Sequence, residues 1–118
     1  MSTQTSYSLT DLSKLKIHFI GVGGAGMSGI ARIMLAKGFS ISGSDKSESA
    51  MLTSLKALGA EIFIGHASQN LGNAQMVIIS SAINESNAEL LAAKARGLPI
   101  IARATALAWL MSESTSVA

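Results

Sequence analysis

From position 16 to position 111 the chain alternates short apolar runs with segments whose apolar residues recur every three or four positions. The runs are too short for core helices, and most are rich in β-branched residues. They predict strands buried on both faces at 17–22, 39–42, 61–64, 76–79 and 100–102. Between them, Met27, Ile30, Ala31, Met34 and Leu35 share one helical face. Met51, Leu52, Leu55 and Leu58 share another, as do Leu90, Leu91 and Ala93. Gly38, Gly59 and Gly97 stand where a left-handed residue would end each helix, and Pro99 stops the third. Ser86-x-x-Glu89 fits a capping box, 69–72 reads as a brief connection, and 105–111, with Trp109, predicts a last helix.

These connections are too long for hairpins. Right-handed crossovers then give an α/β, Rossmann-like, doubly wound parallel sheet of five strands, order 3-2-1-4-5, with helices on both faces. In such a sheet a ligand lies beyond the C-terminal strand ends, where the winding reverses. Residues just after each strand carry the functional expectation. The folded unit is expected at 15–112, with a flexible leader at 1–14 or a short helix near 9–15, and an exposed tail at 113–118.

Composition narrows the choice. In 118 residues, 48% hydrophobic with 14% charged excludes a disordered chain and suits one domain. Aromatics at 4% leave the core to Ile, Leu, Val, Ala and Met, as parallel sheets favour. A net charge of +2 with scattered basic residues argues against a nucleic-acid partner. There is no cysteine, hence no disulfide, thiolate metal site or cysteine nucleophile. No apolar run approaches the roughly 20 residues a bilayer requires, and the first residues lack a signal-peptide pattern. A soluble, cytoplasmic protein without a membrane partner is expected.

The chemistry concentrates at Gly21-Val22-Gly23-Gly24-Ala25-Gly26, a G-x-G-x-x-G with a spare glycine, placed between a strand and a helix. A diphosphate needs backbone N–H groups within hydrogen-bonding distance, which a Cβ would obstruct, and the helix's first turn adds free N–H groups and a positive dipole end. Asp45 follows the second strand, about 20 residues on, where an acidic side chain meets a ribose hydroxyl or caps a turn. His66 follows the third strand, as a ligand contact or a locally satisfied loop residue. Ser80 and Ala82 end the fourth strand, and Arg103 follows the fifth, facing an anion or a helix. His18, inside the first strand, reads as structural. No G-x-x-x-x-G-K-[ST] loop, paired-carboxylate motif, Ser-His-Asp arrangement or metal signature is present. The residues describe a nucleotide-diphosphate site without a reaction centre.

IHFIGVGGAGMSGIA, ISGSD, IGH, VIISSAI and NAELLAAKARGLPIIARA, in that order, resemble the N-terminal domain of the Mur ligase family of bacterial peptidoglycan synthesis. The resemblance covers about 15–112 and is nearer to the ligase that adds the first amino acid than to the one that recycles murein tripeptide. It implies a three-domain enzyme that uses ATP and magnesium to activate the carboxylate of UDP-N-acetylmuramate as an acyl phosphate, which L-alanine attacks. The first domain grips the uridine diphosphate; the central ATPase and C-terminal domains are its partners. The fragment itself is implied to need no cofactor and to have no catalytic residue. Carried over by position, Gly23, Gly24, Ala25, Gly26 and Met27 face the diphosphate through backbone N–H groups, with Ser28 nearby. Ser44 and Asp45 take the uridine side, His66, Ser80 and Ala82 complete the pocket, and Arg103 lies toward the sugar-phosphate end. The family's GTHGKT loop is expected just past 116–118 and is absent, which implies an excised first domain. An NAD-binding oxidoreductase domain or a non-catalytic nucleotide-sensing module are the alternatives.

Overall fold

A computed structural model of the chain describes residues 14–115. Five strands, β1 (Lys16–Ile20), β2 (Ser40–Asp45), β3 (Glu61–Ile64), β4 (Met76–Ile79) and β5 (Ile100–Ala102), form one sheet in the order β3-β2-β1-β4-β5. Every pairing is parallel. The helices are α1 (Ala25–Ala36), α2 (Ala50–Ala57), α3 (Ala88–Ala95) and α4 (Arg103–Thr115), with a 3-10 turn at Ser68–Leu71. The α/β fold, the strand order and the all-parallel pairing agree with the sequence reading.

Alternation along the strands sorts the core onto two faces. Ile17, Phe19, Ile41, Met76 and Ile78 pack with Met27, Ile30 and Met34 of α1, Leu52 and Leu55 of α2, and Ala106 and Leu110 of α4. Ile20 and Val77 belong to a smaller cluster with Leu71, Leu90 and Ala93, under the 3-10 turn and α3. On that smaller side the sequence spends three strand positions on polar residues, His18, Ser42 and Ser44, all fully buried. Buried polar atoms in such a place require partners: Ser42 meets His18, and Glu89 of α3 supplies a partner to His18 and Ser44.

Several boundaries differ from the sequence pattern. The first strand stops at Ile20, because Gly21 has φ +81° and turns the chain. Val22, read as the strand's end, instead drops into the core, where a Cβ on Gly43 would come within 2.7 Å of it. The second strand runs on to Asp45, paired along its length with β1 and β3. Helix α2 starts at Ala50, with Ser49 as its N-cap. The capping box does not form at Ser86: Asn87 is the N-cap, its Oδ1 accepting from the N–H groups of Glu89 and Leu90. Helix α4 begins directly at Arg103 and continues past 112 to Thr115. Most of the leader, including the possible helix near 9–15, and the last three tail positions lie outside the described residues.

Candidate functional site

Beyond the C-terminal ends of β1, β2 and β4, where the winding reverses, lies a cleft of about 290 Å³. Gly21 and Gly24 form its floor, and Asp45, Lys46 and His66 stand on one side. The segment after β4, from Ser80 through Ala82 and Ile83 to Asn84, forms the other, with Asn87 at the start of α3.

The glycine loop is held from below by β2. The N–H groups of Gly21 and Val22 both donate to the Ser44 carbonyl, at 2.8 and 2.9 Å, and that of Gly24 donates to the Gly21 carbonyl at 3.1 Å. Asp45 clamps the loop from the side: its Oδ2 accepts from the Gly23 N–H at 2.8 Å and its Oδ1 from the Lys46 N–H at 2.8 Å. A Cβ at Gly23 would fall 2.7 Å from that Asp45 oxygen, so glycine here is dictated by the clamp. At Gly24 the nearest atom to such a Cβ is 3.5 Å away, an ordinary contact. The protein therefore imposes no steric bar to a side chain at Gly24, although the cleft opens there.

Helix geometry leaves the N–H groups of Ala25, Gly26 and Met27 without intrahelical acceptors, and Gly24, the N-cap, has no side chain to cover them. With the helix dipole they form a ready anion site. Met27 and Ser28 turn their side chains inward, both buried, and the Ser28 N–H already donates to the Gly24 carbonyl. Only backbone remains at Met27 for a ligand, and Ser28 supports the loop from behind. Arg103 does not line the cleft. Its side chain lies across the first turn of α1, where a Cβ on Gly26 would come within 2.9 Å of its Cδ. Among the described residues it has no ion-pair partner, so its charge reinforces the positive end of α1.

On the far wall, Ser80 Oγ accepts from the Ala82 N–H at 3.3 Å and the Ser80 carbonyl from the Ile83 N–H at 3.2 Å. Asn84 Oδ1 accepts from both the N–H and the hydroxyl of Ser86. Lys46, Asn84 and Asn87, which sequence reasoning did not single out, complete the cleft. Their only signal was position: each follows a strand end or opens a helix.

Beneath the cleft sits a feature that the sequence concealed. Glu89, read as the reciprocal member of a capping box, points into the interior and is fully buried. Its Oε1 accepts from His18 Nε2 at 2.6 Å and from the Ser44 hydroxyl at 2.6 Å. Its Oε2 accepts from the Ala67 N–H at 3.1 Å and from Asn70 Nδ2 at 2.8 Å. Four donors fill the four lone-pair positions of the carboxylate. Burial pushes its pKa up, but the hydrogen bonds from His18, Ser44 and Asn70, with the charge of His18, outweigh that and hold it at about 2. His18 Nδ1 meets Ser42 Oγ at 2.8 Å, and His66 Nδ1 meets Ser44 Oγ at 2.9 Å. His18 is thus structural, as its place within β1 predicts, whereas His66 reaches from this network into the cleft.

A family model described as Mur ligase family, catalytic domain, matches residues 16–115. The chain is 54% identical over 113 residues to the UDP-N-acetylmuramate–L-alanine ligase of Renibacterium salmoninarum, covering 96% of this chain and 24% of that protein. It is 50% identical over 103 residues to the same-named protein of Thermobifida fusca, covering 87% and 22%. Among solved structures it resembles the UDP-N-acetylmuramate-alanine ligase of Thermotoga maritima, with a TM-score of 0.80 and 31% identity over 84% of this chain and 23% of that one. The chain spans about a quarter of the length of the curated relatives it matches.

Proposed function

The chain belongs to the Mur ligase family, and from that membership we propose that it is the UDP-sugar-binding domain of a ligase joining L-alanine to UDP-N-acetylmuramate in peptidoglycan synthesis. The observation that carries this reading is the cleft at the winding reversal, floored by a glycine loop and the open N-terminus of α1. That arrangement suits a diphosphate, whose charge the free N–H groups would meet, with Arg103 reinforcing the positive end of α1 behind them. Asp45 and His66 stand where the ribose and base would lie, and Ser80, Ala82 and Asn84 would close over the other side.

In this reading the domain's work is positional. Holding the nucleotide at a fixed loop places the muramic acid carboxylate for chemistry performed elsewhere in the enzyme, which lowers the entropic part of the barrier. ATP and magnesium would be bound by the central ATPase domain, where the carboxylate becomes an acyl phosphate. The absence of any G-x-x-x-x-G-K-[ST] loop from these 118 residues supports that division, as does the one-quarter coverage of the relatives. A cytoplasmic location follows from the nucleotide substrate, and among the described residues no helix is long and apolar enough to cross a membrane.

Calorimetric titration with UDP-N-acetylmuramate, with NAD run in parallel, tests the proposal. Saturable binding of the UDP-sugar alone is expected. Binding of NAD in its place would overturn the reading and return the chain to the oxidoreductase-like alternative.

A further inference from the structure

A chain of hydrogen bonds connects buried Glu89, through Ser44, to His66 in the cleft. An ionised carboxylate only accepts, so Ser44 must donate its single hydroxyl proton to Glu89 Oε1. The contact between Ser44 Oγ and His66 Nδ1 then has one consistent assignment: the ring donates from Nδ1–H and the serine oxygen accepts. Glu89 Oε2 lies 3.4 Å from the same Nδ1, which further favours a proton there. A neutral imidazole protonated at Nδ1 carries a lone pair at Nε2. That nitrogen has no partner among the described residues, and its ring lines the cleft.

We propose that Glu89 is a positioning residue: acting through Ser44, it fixes His66 as the Nδ1–H tautomer and makes Nε2 an acceptor that selects a ligand offering an O–H or N–H donor. The inference rests on the UDP-sugar reading of the cleft. Uridine offers such donors as its ribose hydroxyls and its ring imide N–H, whereas phosphate oxygens are acceptors, so Nε2 would read the nucleoside end. Histidine in water prefers the opposite tautomer, and without this fixing Nε2 would be a donor facing the cleft. A buried charge removed from any exposed surface thereby sets the hydrogen-bond polarity of a binding wall.

Long-range proton–nitrogen spectra of the imidazoles in the unliganded 118-residue chain, at about pH 8 so that an ordinary histidine is neutral, read the proton directly. The chain has only two histidines, and a His66→Gln sample identifies which signals are whose. His66 is expected with its proton on Nδ1 and Nε2 bare; a proton on Nε2 overturns the inference. Glu89→Gln places an amide beside Ser44 and is expected to move the His66 proton to Nε2; an unchanged tautomer removes Glu89 as its cause. If that variant does not fold, the native spectrum still decides. For the ligand, UDP is compared with 2′,3′-dideoxy-UDP and N3-methyl-UDP. One analogue should lose about threefold to tenfold in affinity, the worth of one hydrogen bond, and no loss with either overturns the donor selection. UDP that does not bind at all would instead count against the UDP-sugar reading, leaving the spectrum to decide the proton placement.

Discussion

At the residue scale, Glu89 shows how a charge is made tolerable inside a small domain. Removing an ion from water costs several kcal/mol unless its lone pairs are matched; here His18, Ser44, Ala67 and Asn70 match all four. The carboxylate also sits in the first turn of α3, where the helix dipole favours it. Truncation to alanine would strand the donors, so Glu89→Ala is expected to cost about 3 kcal/mol or more of stability in urea unfolding. The pH dependence has a definite sign. The carboxyl is lowered in the folded state from 4.5 to about 2, so its contribution is complete above the unfolded value and is lost as pH falls toward 2. The urea midpoints of the native chain and Glu89→Gln should therefore lie far apart at pH 6 and converge as pH falls through 4 toward 2. A gap independent of pH would mean that Glu89 is not ionised.

At the scale of elements, the strand–loop–helix unit from Lys16 to Ala36 divides its glycines between internal fit and ligand approach. Gly23→Ala sets a methyl 2.7 Å from Asp45 Oδ2 and disturbs the clamp, so it should lose about 1–3 kcal/mol, as overpacked sites do. Gly24→Ala meets nothing closer than 3.5 Å and should lose no more than about 1 kcal/mol. The same methyl narrows the approach of a diphosphate, and UDP affinity should fall about tenfold, near 1.4 kcal/mol. Equal effects of the two variants on both stability and binding would refute this division. Asp45→Ala should weaken inorganic pyrophosphate and UDP alike through the released loop, with UDP losing more; equal losses would leave Asp45 only as the clamp. The short apolar runs and the period-3.6 patterns made these elements readable, because a strand of a covered parallel sheet is apolar nearly throughout and each helix buries one regular face. Glu89 was not readable in the same way. Ser86-x-x-Glu89 satisfies a local capping rule, and only the long-range arrival of His18 and Ser44 on the α3 side of the sheet reveals the stronger claim on that carboxylate. Arg103 was legible as a residue after a strand, but its lie across Gly26 depends on α4 starting without a loop, which no local pattern announces.

For the whole molecule, the sheet order and the site are one fact seen twice. With β1 central, the chain winds outward to β3 on one side and to β5 on the other, so the loops after β1 and β4 diverge and leave the cleft between them. Helices α1, α2 and α4 cover one face and α3 with the 3-10 turn the other, and each face has its own buried cluster. The groups that shape the cleft are held by the sheet itself: Ser44 and Asp45 by β2, and His66 by way of Ser44 and Glu89. A cleft supported in this way is preorganised, and a preorganised site should bind without its neighbours. The same 118 residues contain no G-x-x-x-x-G-K-[ST] loop. Incubated with UDP-N-acetylmuramate, ATP, magnesium and L-alanine, the chain is expected to bind the sugar nucleotide and release no phosphate above a protein-free control. Phosphate release coupled to amide formation would show that the reaction centre lies within this domain and would refute the separation of binding from chemistry.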